Sequence, residues 1–240
     1  GGSLGQRTMV QAYPVLSFPL AAFWQSLLSK RLFFKVAVAI ILLFCIWFNL
    51  WLTHQSHKGG LVAPGEMTGA YFRAIFGRTH VDERTISLLD NDELYKGRPV
   101  VTDTVYSNDF SSDTSQNAAI FNDEQCIHLD NGHQSSKEYF FRLSQSENKW
   151  LRAKADFLTP DKEWNTWKMP QFIVRFYFQN KIIKTNQIRV CRLLNSGEKK
   201  NLMLDAKIPD QKIDKVSVLF WNAGSGKEIF IDNLKVVVFN

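Results

Sequence analysis

One run of the chain limits its folding choices more than any other. Residues 32–52 read LFFKVAVAIILLFCIWFNLWL, with only Lys35 and Asn49 breaking the apolar sequence. About 20 apolar residues rising 1.5 Å each cross the roughly 30 Å hydrocarbon core of a bilayer. Trp47, Phe48 and Trp51 gather at one end, as interfacial anchors do. The run therefore predicts a transmembrane helix. A buried helix of a soluble protein is the alternative, and this length of unbroken apolar sequence is unusual for one.

Residues 9–28 form a second apolar stretch, interrupted by Gln11, Gln25, Pro14 and Pro19. Proline is tolerated in membrane helices because neighbouring helices and waters satisfy the freed carbonyls. The stretch predicts a second span, with a re-entrant or interfacial segment as the alternative. Ser29, Lys30, Arg31 and Lys35 make the connection basic, which predicts a cytoplasmic turn. Residues 1–53 are then a transmembrane hairpin, and everything after residue 52 is extracytoplasmic. The opening GGSLGQR has neither an initiator Met nor the charged n-region of a signal peptide. It reads as sequence cut from something longer, or as a short linker scar at the start.

Residues 54–97 read as an interfacial helix and a linker. Met67, Ala70, Tyr71, Ala74 and Ile75 recur at helical spacing, with Gly77 as a stop. His54 and His57 lie three apart, but no acid or Cys stands near them, so a solvated loop fits better than a metal site.

From residue 98 the period changes to two. Strands are expected at 100–106, 139–143, 150–157, 172–178, 187–194, 201–206, 215–221 and 228–239, with a turn at Asn180-Lys181. Many short strands in about 140 residues argue for an antiparallel β-sandwich of jelly-roll type. The fold class expected is α+β: a two-helix transmembrane hairpin followed by that sandwich at 98–240.

Residues 98–240 hold 20 Lys and Arg against 17 Asp and Glu, with no basic stripe, which argues against nucleic-acid binding. There is no GxSxG, HExxH or P-loop, and no catalytic constellation is evident. Cys45 lies within the apolar run as a packing residue. Cys126 and Cys191 either pair in an oxidising compartment or stand as separate thiols.

Two candidate sites remain. Trp164 and Trp167 lie in a polar, proline-flanked stretch and are the best candidates for stacking on a sugar, against packing over the sandwich edge. Asp232, in the strand ending IFIDNLKV, could hold a structural Ca²⁺ with Asp109 and Asp113. The plainer alternative is that Asp232 hydrogen-bonds a neighbouring loop.

The start Gly1-Gly2-Ser3-Leu4-Gly5-Gln6-Arg7 before a span with Tyr13 and Pro19, and the later Asn49-Leu50, Gly60-Leu61, Met67-Thr68, Tyr71 and Phe76-Gly77, resemble the last two helices of bacterial family-39-like membrane glycosyltransferases. The resemblance covers residues 1–95. It implies an inner-membrane enzyme that moves sugar from a polyprenyl-phosphate carrier on the periplasmic side, with further upstream helices as partners. The family's catalytic Asp lies in an early loop that this sequence does not include, so no catalytic residue is assigned. Gln6 and Arg7 would face the substrate side. The sandwich, with its IDNL ending, is similar to carbohydrate-binding modules, which implies a glycan or a lipid-linked sugar as partner.

The expectation is thus a bilayer-anchored, periplasm-facing portion of a glycosyltransferase-like protein, not catalytic by itself. The alternatives are a complete non-enzymatic glycan- or protein-binding module of the cell envelope, and a protein-interaction platform within an envelope assembly.

Overall fold

The computed structural model describes residues 13–62, 66–99, 102–112, 115, 117–121, 124–143, 149–165 and 167–240. The fold is α+β and divides into two compact units, residues 1–81 and 82–240.

In the first unit, helix α1 is Tyr13–Leu28 and helix α2 is Leu32–His54. A single-turn π-helix, Gln55–Gly59, continues α2 and ends at Gly60, whose φ of 71° only glycine adopts without strain. The continuous helix of residues 32–59 is 28 residues long, about 42 Å at 1.5 Å per residue. Among the described residues it alone is long and apolar enough to cross a membrane. The 16 described residues of α1 reach only about 24 Å, and residues 9–12 of the expected first span lie outside the described residues. A two-span hairpin is therefore not established. Asn49, the lone amide in the apolar run, turns its Nδ2 back to the Cys45 carbonyl at 2.8 Å, which satisfies one of its polar hydrogens within the helix.

Helix α3, Gly69–Ile75, is capped by the Thr68 hydroxyl, which accepts from the Tyr71 amide at 3.1 Å. Its rings pack on the end of α2. Phe72 and Phe76 meet Phe48 and Trp51 at centroid distances of 5.7 to 6.4 Å. The Trp51 indole N–H donates to the Arg78 carbonyl at 2.8 Å. The aromatic cluster expected as a membrane anchor thus also holds this short amphipathic segment.

The second unit is an antiparallel β-sandwich. Its strands are β1 (Thr102–Asn108), β2 (Ala118–Phe121), β3 (Glu124–Leu129), β4 (Tyr139–Phe141), β5 (Trp150–Leu158), β6 (Gln171–Phe178), β7 (Lys181–Arg189), β8 (Lys200–Lys207), β9 (Lys215–Trp221) and β10 (Ile229–Phe239). One sheet runs β2-β3-β10-β5-β8 with β1 also on β10, and the other runs β4-β9-β6-β7. Period-two alternation sends Leu151, Ala153, Ala155 and Phe157 of β5, and Phe172, Val174 and Phe176 of β6, into the shared core. Phe157, Phe172 and Phe220 stack there at 5.3 to 5.7 Å. Burying each such ring contributes about 1.5–3 kcal/mol.

Strand β10 organises the larger sheet. One side pairs with β5; the other pairs first with β3 (Ile229 to Ile231), then with β1 (Leu234 to Phe239). Asn233 interrupts it at φ 52°, and the register against β5 slips between Asp232 and Lys235. The bulge keeps Ile231 and Leu234 in the core while Asp232 stays on the outer face.

Residues 82–95 form a strap on the larger sheet. It starts with α4 (Glu83–Ile86), capped by Asp82, whose Oδ1 accepts from the Thr85 amide at 2.7 Å. Tyr95 then packs edge-on against Trp150 and Phe239, at 5.4 and 4.9 Å. Below it lies a buried ion pair. Arg152 Nε and Nη2 donate to the two oxygens of Asp205 at 2.5 and 2.9 Å, and the Tyr95 amide adds a third bond at 3.1 Å.

Candidate functional site

The strap covers one end of the larger sheet's outer face. Toward the other end lies an open cleft of about 290 Å³. Strands β3, β5 and β10 form its floor with Cys126, Asp156, Leu158, Phe230 and Asp232. These are the outward positions that alternate with core residues Ile127, Phe157 and Ile231. The turns carrying Thr159, Pro160, Gly197 and Lys199 raise one wall, tied by the Gly197 amide donating to the Thr159 carbonyl at 2.7 Å.

The cleft combines an aromatic ring with polar groups. Phe230 stacks flat on His128, with centroids 4.6 Å apart and planes 8° apart. Lys199 Nζ stands 3.3 Å from Glu124, 3.7 Å from Asp232 and 4.0 Å from Asp156. Asn201 donates to Asp156 at 2.8 Å, and Asn233 donates to both Asp156 and Asp232 at 3.0 and 3.1 Å. Burial holds the Asp232 carboxyl above the usual range, against the Asn233 amide and Lys199, which pull it down. Burial and the neighbouring Asp232 push the Cys126 thiol up to about 11, so it is protonated and inert at neutral pH. The salt bridges of Lys199 raise its pKa despite partial desolvation.

This arrangement suits binding. Carboxylates and amides hold fixed hydrogen-bonding positions beside an apolar ring, which is what a polyhydroxylated ring with apolar C–H faces needs.

The residues singled out in sequence occupy different places. Trp164 is half-buried against the core, the alternative reading for that residue. Trp167 is 81% exposed. Neither lines the cleft. Asp109 is exposed, and its Oδ1 accepts from the Ser111 amide and hydroxyl at 3.2 and 2.8 Å, which lowers its pKa. Asp113 lies outside the described residues, as do Gln6 and Arg7. Among the described residues no three His, Cys, Asp or Glu side chains gather to hold a metal ion. Cys45, Cys126 and Cys191 are all free thiols. Of the expected site residues that are described, only Asp232 lies in the cleft. Glu124, Asp156, Lys199 and Phe230 escaped the sequence reading, because their partnership depends on which strands neighbour each other.

No family model matches the chain, and no curated protein does. The resemblance of residues 1–95 to family-39-like glycosyltransferases finds no support there. Among solved structures, the chain is similar to a family 16 carbohydrate-binding module at 15% identity and TM-score 0.31, covering 47% of this chain and 76% of that one. It is also similar to a CBM4 structure (10% identity, TM-score 0.35, covering 54% and 79%) and to BiXyn10A CBM1 (15%, 0.35, covering 56% and 98%). At TM-scores this low none of these likenesses assigns a ligand or a site.

Proposed function

We propose that the chain is a non-catalytic, membrane-anchored glycan-binding module. The observation that carries this reading is the open cleft on the outer face of the larger sheet, where Phe230 meets the amide-braced carboxylates Asp156 and Asp232. A sugar ring stacks its C–H face on Phe230 while its hydroxyls donate to the carboxylates. The helix of residues 32–59 anchors the module in the bilayer, since its apolar surface, with Ile40, Leu43 and Leu50 more than half exposed, is not buried by the rest of the protein. The basic turn at Lys30, Arg31 and Lys35 favours the cytoplasm, which puts the sandwich on the periplasmic side.

A glycan array probed with the full chain in detergent tests this. Saturable retention on a defined set of glycans, weakened by Phe230→Ala, supports the reading. A folded chain that no glycan retains overturns it and moves the sandwich to a structural or protein-binding role.

A further inference from the structure

We infer that α1 and α2 hold an anionic phospholipid at the basic end of the anchor, with its phosphate on Lys35 and an acyl chain in the groove between the two helices. This rests on the membrane-anchor reading above and gives that anchor a preferred lipid.

The first observation is the groove. Trp24 and Leu28 of α1 and Val38, Ala39 and Leu42 of α2 line a cavity of about 210 Å³, and Lys35 is the one charged residue on it among the described residues. Such apolar walls suit a hydrocarbon chain.

The second is a cation with no carboxylate to meet it. Lys35 sits one turn into α2 and is half-buried, where a charge is costly unless it is paired. The first acidic residue of the chain is Glu66, which follows the far end of the helix of residues 32–59, about 36 Å of helix beyond Lys35. Among the described residues the Lys35 ammonium has neither a hydrogen bond nor an ion pair, and the indole N–H of Trp24, on the same groove, has no acceptor. The connection between the helices adds two exposed cations, Lys30 and Arg31.

A lipid phosphodiester supplies both missing partners, an anion for Lys35 and an acceptor for the indole, while its acyl chain runs along the groove. A headgroup of net negative charge also gains from Lys30 and Arg31. A zwitterionic headgroup brings its own ammonium against them and loses that gain.

The test titrates the full chain in detergent micelles with dioleoylphosphatidylglycerol or dioleoylphosphatidylcholine and counts bound lipid by intact-complex mass spectrometry. Glycerol phosphate, which carries the phosphate without acyl chains, is the competitor. Flotation with phosphatidylcholine vesicles is run beside it and reads the anchor alone. The expected result is a saturable single-lipid adduct, with phosphatidylglycerol favoured about fivefold or more over phosphatidylcholine, the ratio that one cation near a headgroup supplies. Lys35→Gln should weaken the phosphatidylglycerol adduct about fivefold. Ala39→Phe puts a ring into the groove without changing a charge and should weaken it as well. Lys30→Gln with Arg31→Gln should narrow the margin over phosphatidylcholine while the adduct persists. Helix content by circular dichroism checks that each variant is folded, and the wild-type comparison of the two lipids decides the inference without any variant. Equal retention of the two lipids overturns it. So does an adduct that survives Lys35→Gln or Ala39→Phe unchanged, or one that glycerol phosphate displaces, because the groove would then contribute nothing. In each of these cases a chain that still floats with the vesicles leaves the anchor reading intact. A chain that does not float removes both.

Discussion

Substituting Asp205 by Ala should unfold the sandwich more readily than any surface change. Asp205 has a fully buried side chain, and Arg152 beneath it is 8% exposed. The pair is bidentate, at 2.5 and 2.9 Å, and Asp205 also accepts from the Tyr95 amide at 3.1 Å and from Arg84 at 3.5 Å. Asp205→Ala strands the buried Arg152 guanidinium without its carboxylate, over the Phe239 ring 5.1 Å away. Breaking a buried pair in this way costs about 3–5 kcal/mol. A unit of this size shifts its melting temperature by about 2–4 °C per kcal/mol, so a loss of roughly 6–20 °C is expected. Removing both charges is different. Arg152→Met with Asp205→Leu leaves no buried charge, and the remaining loss is the orphaned Tyr95 amide and its strap contact, about 1–3 kcal/mol. The double variant should therefore be more stable than Asp205→Ala alone. Urea unfolding of the full chain in detergent, followed by far-UV circular dichroism, reads both. A loss under about 1 kcal/mol for the single variant, or a double variant no more stable than the single, refutes the claim that this pair pins the strap.

Three further outcomes follow from the same reasoning. Phe110 is fully buried against Tyr139 despite its φ of 57°, so Phe110→Ala should cost about 3–5 kcal/mol in the same unfolding assay. Gln55 is fully buried, and among the described residues neither of its amide atoms has a partner; Gln55→Met should raise the helical unit's resistance to thermal denaturation by about 1–3 kcal/mol. The Asp232 carboxyl titrates above 3.8 when folded, so the native state takes up its proton before the unfolded chain does; stability relative to Asp232→Asn should rise as pH falls from the folded value to 3.8, and a falling difference would contradict this.

How much of this was legible in the sequence follows from the range of each signal. Helix α2 and strands β5, β6, β8, β9 and β10 were readable because their patterns are local and long: an apolar run broken only at Lys35 and Asn49, or β-branched, aromatic and aliphatic runs bounded by turn residues. Strand β7 was misjudged. Its turn at Asn180 was expected, but Lys181–Arg189 has only Asn186, Ile188 and the half-buried Ile183 facing inward, so its polar sequence hid a single continuous strand. Residues 190–194, expected to extend a strand, turn into a 3₁₀ helix at Val190–Arg192. Strands β2 and β3 were missed because AAIF and EQCIHL are short and mixed. That omission concealed the site, since β3 supplies the Glu124, Cys126 and His128 side of the cleft. Asp232 was noticed for its place in IDNL, but its partners Asp156 and Lys199 come from β5 and from the turn before β8, 76 and 33 residues away. No periodicity predicts that meeting; it depends on β10 lying between β3 and β5.

The central claim is that a glycan binds on the outer face of the larger sheet. The most direct measurement is a calorimetric titration of one array-selected oligosaccharide into the wild-type chain, Phe230→Ala and Phe140→Ala. Phe140 is exposed on the opposite sheet, beside Tyr177 and Lys215, and offers the obvious rival platform. Losing a stacking ring should weaken binding by about 1–3 kcal/mol, or roughly fivefold to 150-fold. The account predicts that loss for Phe230→Ala and wild-type affinity for Phe140→Ala. The reverse pattern, or full affinity in both variants, would contradict it.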